Sequence, residues 1–385
     1  MPKPNHNILF IIHLTNVLFL HNNIKYLLKT TYNLILNIKN MSNLHFSKIL
    51  DNINDLLSLS ENTLIIVSKP IDPDCIGTAL SLRWLINEKN KSADIISFTK
   101  IPSDMTSFPG INAVTFTELK IPDFGIYDTV IMVDGCDFPQ FLGDNWKEVL
   151  AAIDKKKIIN IDHHMHGDIY RTVPETCLNS KTSCTAQLLY ESFIKPENIK
   201  ITPEVAEYLY LALLYDSGNF KYEIYPRQYS FAEKLIAAGA DHAKAMDINY
   251  DKKEIDFMVW AIEHTEFLPE YKLSILTINN DLILELQKVF GESWSDFDKF
   301  YKECIERQIK GYDYGIILMD NLDGSIRFGW RTRNYGSNIS IADLARSSGF
   351  NAGGHRNAGG GRFEGTIEEA KESLLREFKE LINKL

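Results

Sequence analysis

The chain has 385 residues and a formal net charge of -10 at pH 7. This length is sufficient for two domains with separate cores. An acidic chain lacks the broad basic surface that long nucleic acids require, so the charge excludes them as the main partner and leaves small phosphorylated substrates. The five cysteines show no CxxC spacing, which predicts neither a zinc site nor a disulfide framework. A reducing cytoplasm is therefore the expected compartment.

Residues 1–40 differ from the rest of the chain, since they contain four lysines and no Asp, Glu or Arg. Their apolar stretch, Ile8–Leu20, is too short to span a membrane, and no signal-peptidase cleavage pattern follows it. Two interpretations stay open. Translation starts at Met41 and residues 1–40 are upstream sequence, or these residues form a targeting or anchoring segment. The first interpretation is favoured, and we expect no membrane partner.

Short β-branched runs alternate with helical patterns between residues 41 and 240, which we predict to be one domain. The predicted strands are Leu64–Val67, Asp94–Thr99, Thr129–Val133 and Lys157–Ile161. The predicted helices are Gly77–Leu85, Thr185–Phe193 and Pro203–Tyr215. Strands that alternate with helices indicate a parallel α/β sheet, in which ligands bind beyond the carboxyl ends of the strands.

A charged and aromatic stretch over residues 241–270 predicts a linker helix, and a second domain over residues 271–385 follows it. Its predicted strands are Lys272–Ile278, Tyr314–Met319 and Ser325–Arg333. A glycine-rich segment over residues 353–361 comes next, and a capping box formed by Thr366 and Glu369 opens the last helix. The fold class is thus α/β with two domains, a parallel-sheet domain and a smaller α/β domain.

Acidic residues follow several of these apolar elements. Asp72 and Asp74 come after the first strand, in a predicted extended loop where residues two apart point the same way. An Asp-Pro turn that caps a helix explains the same residues about as well. Asp134 ends a second strand, where Asp134-Gly135 is also an ordinary turn signal.

The tripeptide Asp162-His163-His164 ends a third strand, and Asp216 closes an apolar helix. A buried carboxylate beside two imidazoles normally requires a partner, and a divalent cation is the usual one. Asp216-Ser217-Gly218 alone would be an ordinary helix end. Together the clusters supply five carboxylates and two imidazoles, which suit two cations such as Mn²⁺ or Mg²⁺.

In this order, the clusters resemble the motifs of the DHH phosphoesterase superfamily. The segment from Gly353 to Gly359 resembles the GGGHxxAAG segment of the DHH-associated substrate-binding domain, and Arg331 resembles the arginine of its S-x-R-S element. The core length is similar to the nanoRNase/oligoribonuclease and 3′,5′-bisphosphate phosphatase branch, and it is shorter than a RecJ-type exonuclease.

This resemblance implies a role for each motif residue. The implied ligands of a first metal are Asp72 and Asp134, and those of a second are Asp74, Asp134, His163 and Asp216, so that Asp134 bridges. His164 would face the scissile phosphate, and Arg331, Gly353, Gly354 and His355 would bind a substrate phosphate. The implied cofactor is a pair of Mn²⁺ ions rather than Mg²⁺.

The chain departs from the family at Ser68, where a histidine usually stands four residues before the first aspartate. Two functions therefore stay open. One is a phosphoesterase that hydrolyses short oligonucleotides or small phosphorylated nucleotides. The other is a nucleotide-binding protein with weak or lost catalysis. An exopolyphosphatase or pyrophosphatase is less favoured, because those relatives carry a different second domain. Whether the chain forms a homodimer is not decided by the sequence.

Overall fold

The computed structural model describes the chain from residue 46 to residue 382 with gaps. The gaps are residues 103–104, 118–122, 165–166, 180, 222–224, 247–251, 292–308, 322, 333–340 and 356–357, and the side chains of residues 342, 354–355 and 381–382 are also not described. The predictions for residues 1–40 lie outside the described residues. No helix in the described part of the chain is long and apolar enough to cross a membrane.

The chain divides into two compact units. The N-terminal unit extends to Ala240 and the C-terminal unit begins at Asp241, except for a few residues near Phe220 that group with the C-terminal unit.

The N-terminal unit is built on a six-stranded sheet in the order β3-β2-β1-β4-β5-β6, and every pair of neighbouring strands is parallel. Its strands are β1 (Asn62–Val67), β2 (Ser92–Ser97), β3 (Val114–Phe116), β4 (Thr129–Val133), β5 (Lys157–Asp162) and β6 (Glu175–Leu178). Its helices are α1 (residues 46–59), α2 (Pro73–Glu88), α3 (Phe138–Leu142), α4 (Trp146–Ile153), α5 (Ile169–Thr172), α6 (Thr185–Leu189), α7 (Pro203–Asp216) and α8 (Pro226–Ala238). A π-helical turn, Tyr190–Ile194, continues α6, and 3-10 turns lie at Ile111–Ala113 and Phe124–Ile126.

The order of the strands creates a switch point between β1 and β4. The chain adds β2 and β3 on one side of β1, and then returns to add β4, β5 and β6 on the other side. All five residues of β4 are buried, as are five of the six in β1, so both faces of the sheet are covered there. Ligands bind at such a crevice beyond the carboxyl ends of the strands. The predicted parallel α/β fold is confirmed.

Helices α2 and α7 pack closely on this sheet. A Cβ atom on Gly77 would lie only 2.5 Å from the carbonyl oxygen of Tyr208, so the approach of the two helices requires glycine at this position. Since Asp74 lies in the first turn of α2 and Asp216 ends α7, this packing brings the two carboxylates to the same edge of the sheet.

The C-terminal unit contains a mixed six-stranded sheet in the order β11-β12-β10-β9-β8-β7, in which only β8 and β9 are parallel. Its strands are β7 (Thr265–Leu268), β8 (Leu273–Ile278), β9 (Tyr314–Asp320), β10 (Ser325–Thr332), β11 (Asn351–His355) and β12 (Ala358–Glu364). Its helices are α9 (His242–Ala245), α10 (Lys252–Glu263), α11 (Asn280–Phe290), α12 (Ile341–Ser347) and α13 (Ile367–Ile382), with a 3-10 turn at Pro269–Tyr271. The predicted linker stretch, residues 241–270, thus contains α9, α10 and strand β7.

The glycine-rich segment pairs as two antiparallel strands, β11 and β12. A Cβ atom on Gly359 would lie 2.1 Å from the ring of Trp330, which is fully buried in the core of this unit. A Cβ atom on Gly353, by contrast, would meet nothing within 4 Å. Gly359 is therefore required by packing, whereas Gly353 is not.

Candidate metal centre

Asp72 is the N-cap of α2. Its Oδ1 accepts the backbone N–H groups of Asp74 and Cys75, both at 3.0 Å, and Pro73 is the first helical residue. The prediction that Asp72 and Asp74 share an extended loop is therefore wrong. A capping aspartate followed by proline starts a helix at once, because the side chain satisfies free N–H groups and proline has a helical φ. The alternative helix-cap interpretation is the correct local structure.

Because α2 starts at Pro73, the two carboxylates take part in different groups of side chains. Ligand atoms of Asp72, Cys75 and Asp134 lie within 4.8 Å of one another, and so do those of Asp74, His163 and Asp216. We call these six residues together with His164 the carboxylate–histidine cluster. The structure thus brings all of the predicted metal ligands together at the carboxyl edge of the parallel sheet.

Asp134 lies between the two groups. It follows β4 with a φ of 64°, which is a left-handed conformation that aspartate adopts more readily than most residues. Its Oδ1 is 3.8 Å from His163 Nε2 and accepts the hydroxyl of Thr185 at 2.8 Å. A carboxylate in this central position is suited to bridge two cations, which is the role that the sequence resemblance implies.

His163 has the surroundings of a neutral metal ligand. Its Nε2 lies 3.2 Å from Asp216 Oδ2 and 4.0 Å from Asp74 Oδ2, and its ring also hydrogen-bonds the backbone of Thr182. Burial, followed by the charge on His164, lowers the pKa of His163 to about 3. A buried ring that is neutral at pH 7, with one nitrogen among carboxylates and a backbone hydrogen bond, can coordinate an ion without first losing a proton.

His164 is held by a carboxylate that makes no direct contribution to either group. His164 Nδ1 lies 2.7 Å from Asp162 Oδ1, and the Tyr170 hydroxyl donates both to Asp162 Oδ2 and to the carbonyl of His164. Burial opposes the charged ring, but the hydrogen bond and charge of Asp162 outweigh it and raise the pKa of His164. The ring is partly exposed, so it can reach a bound molecule.

The three innermost carboxylates have unfavourable surroundings in the absence of a cation. Burial, and then the charges of neighbouring carboxylates, raise the pKa values of Asp134 and Asp216 well above the ordinary range. Burial also raises the pKa of Asp74, although hydrogen bonds from the backbone of Ala186 and Thr185 oppose the shift. Among the residues that the structure describes, no lysine or arginine forms an ion pair with these three aspartates.

This donor set fits divalent cations. Carboxylate oxygens and a neutral imidazole are the ligands that Mn²⁺ and related ions accept, and a cation would remove the repulsion among the buried carboxylates. The residues that could hold the ions are Asp72, Asp74, Asp134, His163 and Asp216, with the sulfur of Cys75 beside the first pair.

Position 68 lies beside this cluster. Ser68 is buried, and its Cβ atom is 3.0 Å from the place where a Cβ atom on Gly135 would stand, directly after Asp134. Cys75, which the sequence analysis did not select, is the additional ligand type near Asp72 and Asp134.

The predicted phosphate-binding residues lie together in the C-terminal unit. Arg331 in β10 pairs with Ala358 in β12, and His355 in β11 pairs with the same residue, so the three positions are adjacent across the sheet. The Arg331 Nη1 donates to the carbonyl of Trp330 at 3.0 Å. Gly353 and Gly354 lie in β11 at the edge of this sheet. Phosphate binding by these residues stays a prediction.

Sequence reasoning did not find Tyr170 or Thr185. Tyr170 reaches Asp162 from α5, and Thr185 reaches Asp74 and Asp134 from the start of α6. No local pattern marks either residue. Thr185 is 111 and 51 positions from Asp74 and Asp134, and Tyr170 follows Asp162 by 8 positions, across a loop that has no helical or strand periodicity.

Comparison with known proteins identifies the sheet that carries this cluster. A family model described as "DHH family, N-terminal domain" matches residues 62–213. Residues 62–213 form a DHH-family N-terminal domain. The match includes all of the predicted metal ligands except Asp216, which lies three residues beyond it. It ends before the C-terminal unit, whose likeness to the DHH-associated domain stays a prediction.

Two curated proteins share sequence with the chain. The A-adding tRNA nucleotidyltransferase of Aquifex aeolicus is 25% identical over 226 residues, which are 58% of this chain and 25% of that protein. The probable manganese-dependent inorganic pyrophosphatase of Archaeoglobus fulgidus is 24% identical over 160 residues, which are 41% of this chain and 49% of that protein. The chain therefore spans about a quarter and about half of the lengths of these relatives.

A solved structure supports the fold. The crystal structure of an exopolyphosphatase-related protein from Bacteroides fragilis matches with a TM-score of 0.73 and 19% sequence identity, covering 88% of this chain and 97% of that chain. At this level of identity, the match shows that the two proteins share a fold.

Proposed function

We propose that this chain is a divalent-metal-dependent phosphoesterase that hydrolyses short oligonucleotides or small phosphorylated nucleotides. The observation that carries the proposal is the arrangement of the buried Asp74 and Asp134 and the partly buried Asp216 around the neutral ring of His163, at the switch point of a DHH-family sheet. A manganese-dependent relative supports Mn²⁺ as the cofactor, with two ions expected from the two groups of ligands.

Two bound cations would activate a water molecule and neutralise charge on the phosphate that it attacks. The protein's own contribution is to fix the ligands before any ion arrives. Asp72 is held by two backbone N–H groups of α2, and Asp74 by two backbone N–H groups of α6. Because each carboxylate is already oriented, little conformational entropy remains to be lost when an ion binds.

His164 can donate the proton that hydrolysis requires. When a P–O bond breaks, the leaving oxygen must gain a proton. The raised pKa of His164 favours the imidazolium form of its ring, which can supply this proton. Asp162 accepts a hydrogen bond from Nδ1, which fixes the orientation of the ring and directs Nε2 away from Asp162. Tyr170 holds Asp162 in turn.

In the C-terminal unit, Arg331, His355 and the backbone of Gly353 and Gly354 would bind a substrate phosphate. Arginine forms paired hydrogen bonds with phosphate oxygens, and glycine lets the backbone approach them closely. Long nucleic acid is not expected as a partner, because the net charge of -10 opposes it. The described cysteines Cys75, Cys136, Cys177 and Cys184 are free thiols, which supports a cytoplasmic location.

The test is a hydrolysis screen of the purified chain with Mn²⁺ or Mg²⁺. The substrates are RNA and DNA oligomers of about two to five nucleotides, nucleoside 3′,5′-bisphosphates, inorganic pyrophosphate and polyphosphate, with products separated by chromatography. Release of mononucleotides or phosphate from the nucleotide substrates supports the proposal. Turnover of pyrophosphate or polyphosphate alone would replace it with an inorganic pyrophosphatase or an exopolyphosphatase.

A second candidate function is a nucleotide-binding protein with little catalysis. It follows from Ser68, which stands where the family usually has a histidine. Metal stoichiometry separates the two functions. Two Mn²⁺ ions per chain in equilibrium dialysis support the enzyme, whereas one ion or none, with nucleotide binding retained and no turnover, supports the binding protein.

A further inference from the structure

One threonine contacts two of the carboxylates at once. The backbone N–H of Thr185 donates to Asp74 Oδ2 at 2.7 Å, and its hydroxyl donates to Asp134 Oδ1 at 2.8 Å. The next residue, Ala186, donates its N–H to the other oxygen of Asp74 at 2.9 Å. Asp74, Thr185 and Ala186 are completely buried and Asp134 is nearly so, so water does not compete for these hydrogen bonds.

The contacts on Asp74 fix the plane of its carboxylate. Two N–H groups on two different oxygens allow one rotation of the side chain, and the hydroxyl of Thr78 adds a weaker contact at 3.3 Å. The backbone groups cannot be removed by substitution, because every residue at positions 185 and 186 except proline supplies them. The two hydrogen bonds to Asp74 are therefore a property of the backbone at the start of α6.

The contact on Asp134 depends on the side chain of Thr185. Asp134 has a left-handed backbone, which sets the direction of its Cβ, but the rotation of the carboxylate about that bond needs a separate constraint. The Thr185 hydroxyl supplies such a constraint by donating to Asp134 Oδ1. A carboxylate has about four acceptor sites, so one can accept this hydroxyl and the others stay available to cations.

We propose that Thr185 is a positioning residue which orients Asp74 and Asp134 together for the two cations. This inference rests on the proposed metal centre. Partners of metal ligands typically change metal affinity by about 10- to 100-fold when they are removed. Asp134 is the central carboxylate, so loss of its hydroxyl partner affects both ions rather than one.

The deciding substitution is Thr185→Val, which keeps the shape of the side chain and removes the hydroxyl. Thr185→Ser keeps the hydroxyl and removes the methyl group. The matched control is Thr176→Val, because the hydroxyl of Thr176 is also buried but donates to the carbonyl of Val173 at 2.7 Å. All three variants are compared with the unaltered chain by Mn²⁺ titration, with free Mn²⁺ followed by electron paramagnetic resonance.

We expect Thr185→Val to weaken Mn²⁺ binding by about tenfold or more, with both classes of site affected. Thr185→Ser should bind Mn²⁺ nearly as the unaltered chain does. Thr176→Val should also bind normally even where it lowers the melting temperature. A merely structural role for Thr185 would produce the same result for the valine variants at positions 185 and 176, namely lower stability with unchanged affinity.

The other outcomes overturn the inference in distinguishable ways. Normal Mn²⁺ binding by Thr185→Val, or equal weakening in Thr185→Ser and Thr185→Val, removes the role of the hydroxyl while leaving the metal centre intact. Absence of Mn²⁺ binding by the unaltered chain removes the metal centre and this inference with it. If circular dichroism shows Thr185→Val to be unfolded, Thr185→Ala provides the same comparison with a smaller side chain.

Discussion

The predicted metal centre of the N-terminal unit and the predicted phosphate-binding strands of the C-terminal unit are built in opposite ways. At the carboxyl edge of the parallel sheet, buried side chains are fixed by hydrogen bonds from several segments, as with Asp74, which accepts from Thr185 and Ala186. In the C-terminal unit, β11 and β12 are rich in glycine, with Gly353 and Gly354 in β11 and Gly359, Gly360 and Gly361 in β12. The Trp330 ring fills the space that a side chain on Gly359 would need.

The difference follows from what each region would bind. A metal ion requires donors at defined distances, so the protein must bury carboxylates against their own repulsion and hold them in place. A phosphate is larger and accepts hydrogen bonds from backbone N–H groups, so an exposed strand with few side chains is sufficient. The first region therefore has a cost in stability without its ligand, and the second does not.

The largest effect should come from Asp134→Asn. Activity with Mn²⁺ should fall by more than about 100-fold, because a ligand shared by both ions is replaced by a neutral amide. The same variant should melt at a higher temperature than the unaltered chain when metal is removed with a chelator. Asparagine also tolerates the left-handed backbone at this position.

The stability gain has a defined pH dependence. Burial and neighbouring carboxylates raise the pKa of Asp134. The contribution of Asp134 to folding stability is therefore complete below its unfolded pKa and is lost as pH rises through its folded pKa. The gain from asparagine should therefore be larger at pH 8 than at pH 5 in thermal melts. A lower melting temperature at pH 8 would contradict the unfavourable charge at this site.

Asp128→Asn is the matched control at the opposite edge of the same sheet. Burial favours its neutral form, but Ser60 and the backbone of Glu61 and Asn62 donate to its carboxylate and lower its pKa. A carboxylate with a lowered pKa contributes stability at pH values above its unfolded pKa, and this stability is lost as pH falls through its folded pKa. Asparagine should therefore lower the melting temperature at pH 8 and leave Mn²⁺ binding unchanged.

Gly359→Ala and Gly353→Ala should differ strongly in the C-terminal unit. The added methyl group at position 359 overlaps the Trp330 ring, and we expect a loss of about 1–3 kcal/mol in the free energy of unfolding. At position 353 the methyl group meets nothing, so the change should be within about 0.5 kcal/mol. Denaturant unfolding followed by tryptophan fluorescence measures both. Equal losses in the two variants would contradict the assigned packing, and Mn²⁺ affinity should be unaffected in each.

Arg331→Ala and His355→Ala should separate substrate binding from metal binding. We expect KM for short nucleotides to rise by about tenfold, with kcat and Mn²⁺ affinity changed much less, because contacts to a remote phosphate contribute equally before and during the reaction. Arg362→Ala in β12 is the control, since its side chain is exposed and forms an ion pair with Asp323 at 3.6 Å. Unchanged KM in both test variants would mean that the C-terminal unit does not bind phosphate in this way.

Ser68→His should produce the smallest change. Position 68 lies beside Gly135, next to Asp134, so an imidazole there can approach the first pair of carboxylates. Imidazole binds transition ions better than a hydroxyl does, and the Mn²⁺ concentration for half-maximal activity should fall by up to about tenfold, or about 1.4 kcal/mol. No improvement in a metal titration would indicate that the backbone directs position 68 elsewhere or that Cys75 serves as the nearby ligand.

Much of the fold could be predicted from local patterns. The prediction for Thr129–Val133 matches β4, and Lys157–Ile161 is extended by one residue in β5, because continuous β-branched runs form fully buried parallel strands. The capping box at Thr366 is present, with Thr366 N and Glu369 N each bound to the other's side chain. The glycine-rich segment gave no strand signal, since its pairing depends on packing against Trp330 rather than on side-chain alternation.

The sequence alone determined which residues could form a metal centre, because acids and histidines at the ends of apolar strands must meet at one edge of a parallel sheet. It did not determine their local conformation, as the helix start at Pro73 shows. Only the tertiary structure decided that Asp72 and Asp74 join different groups, that Asp162 and Tyr170 hold His164, and that Thr185 holds two carboxylates. Such contacts join residues as many as 111 positions apart in the sequence, and no local periodicity records them.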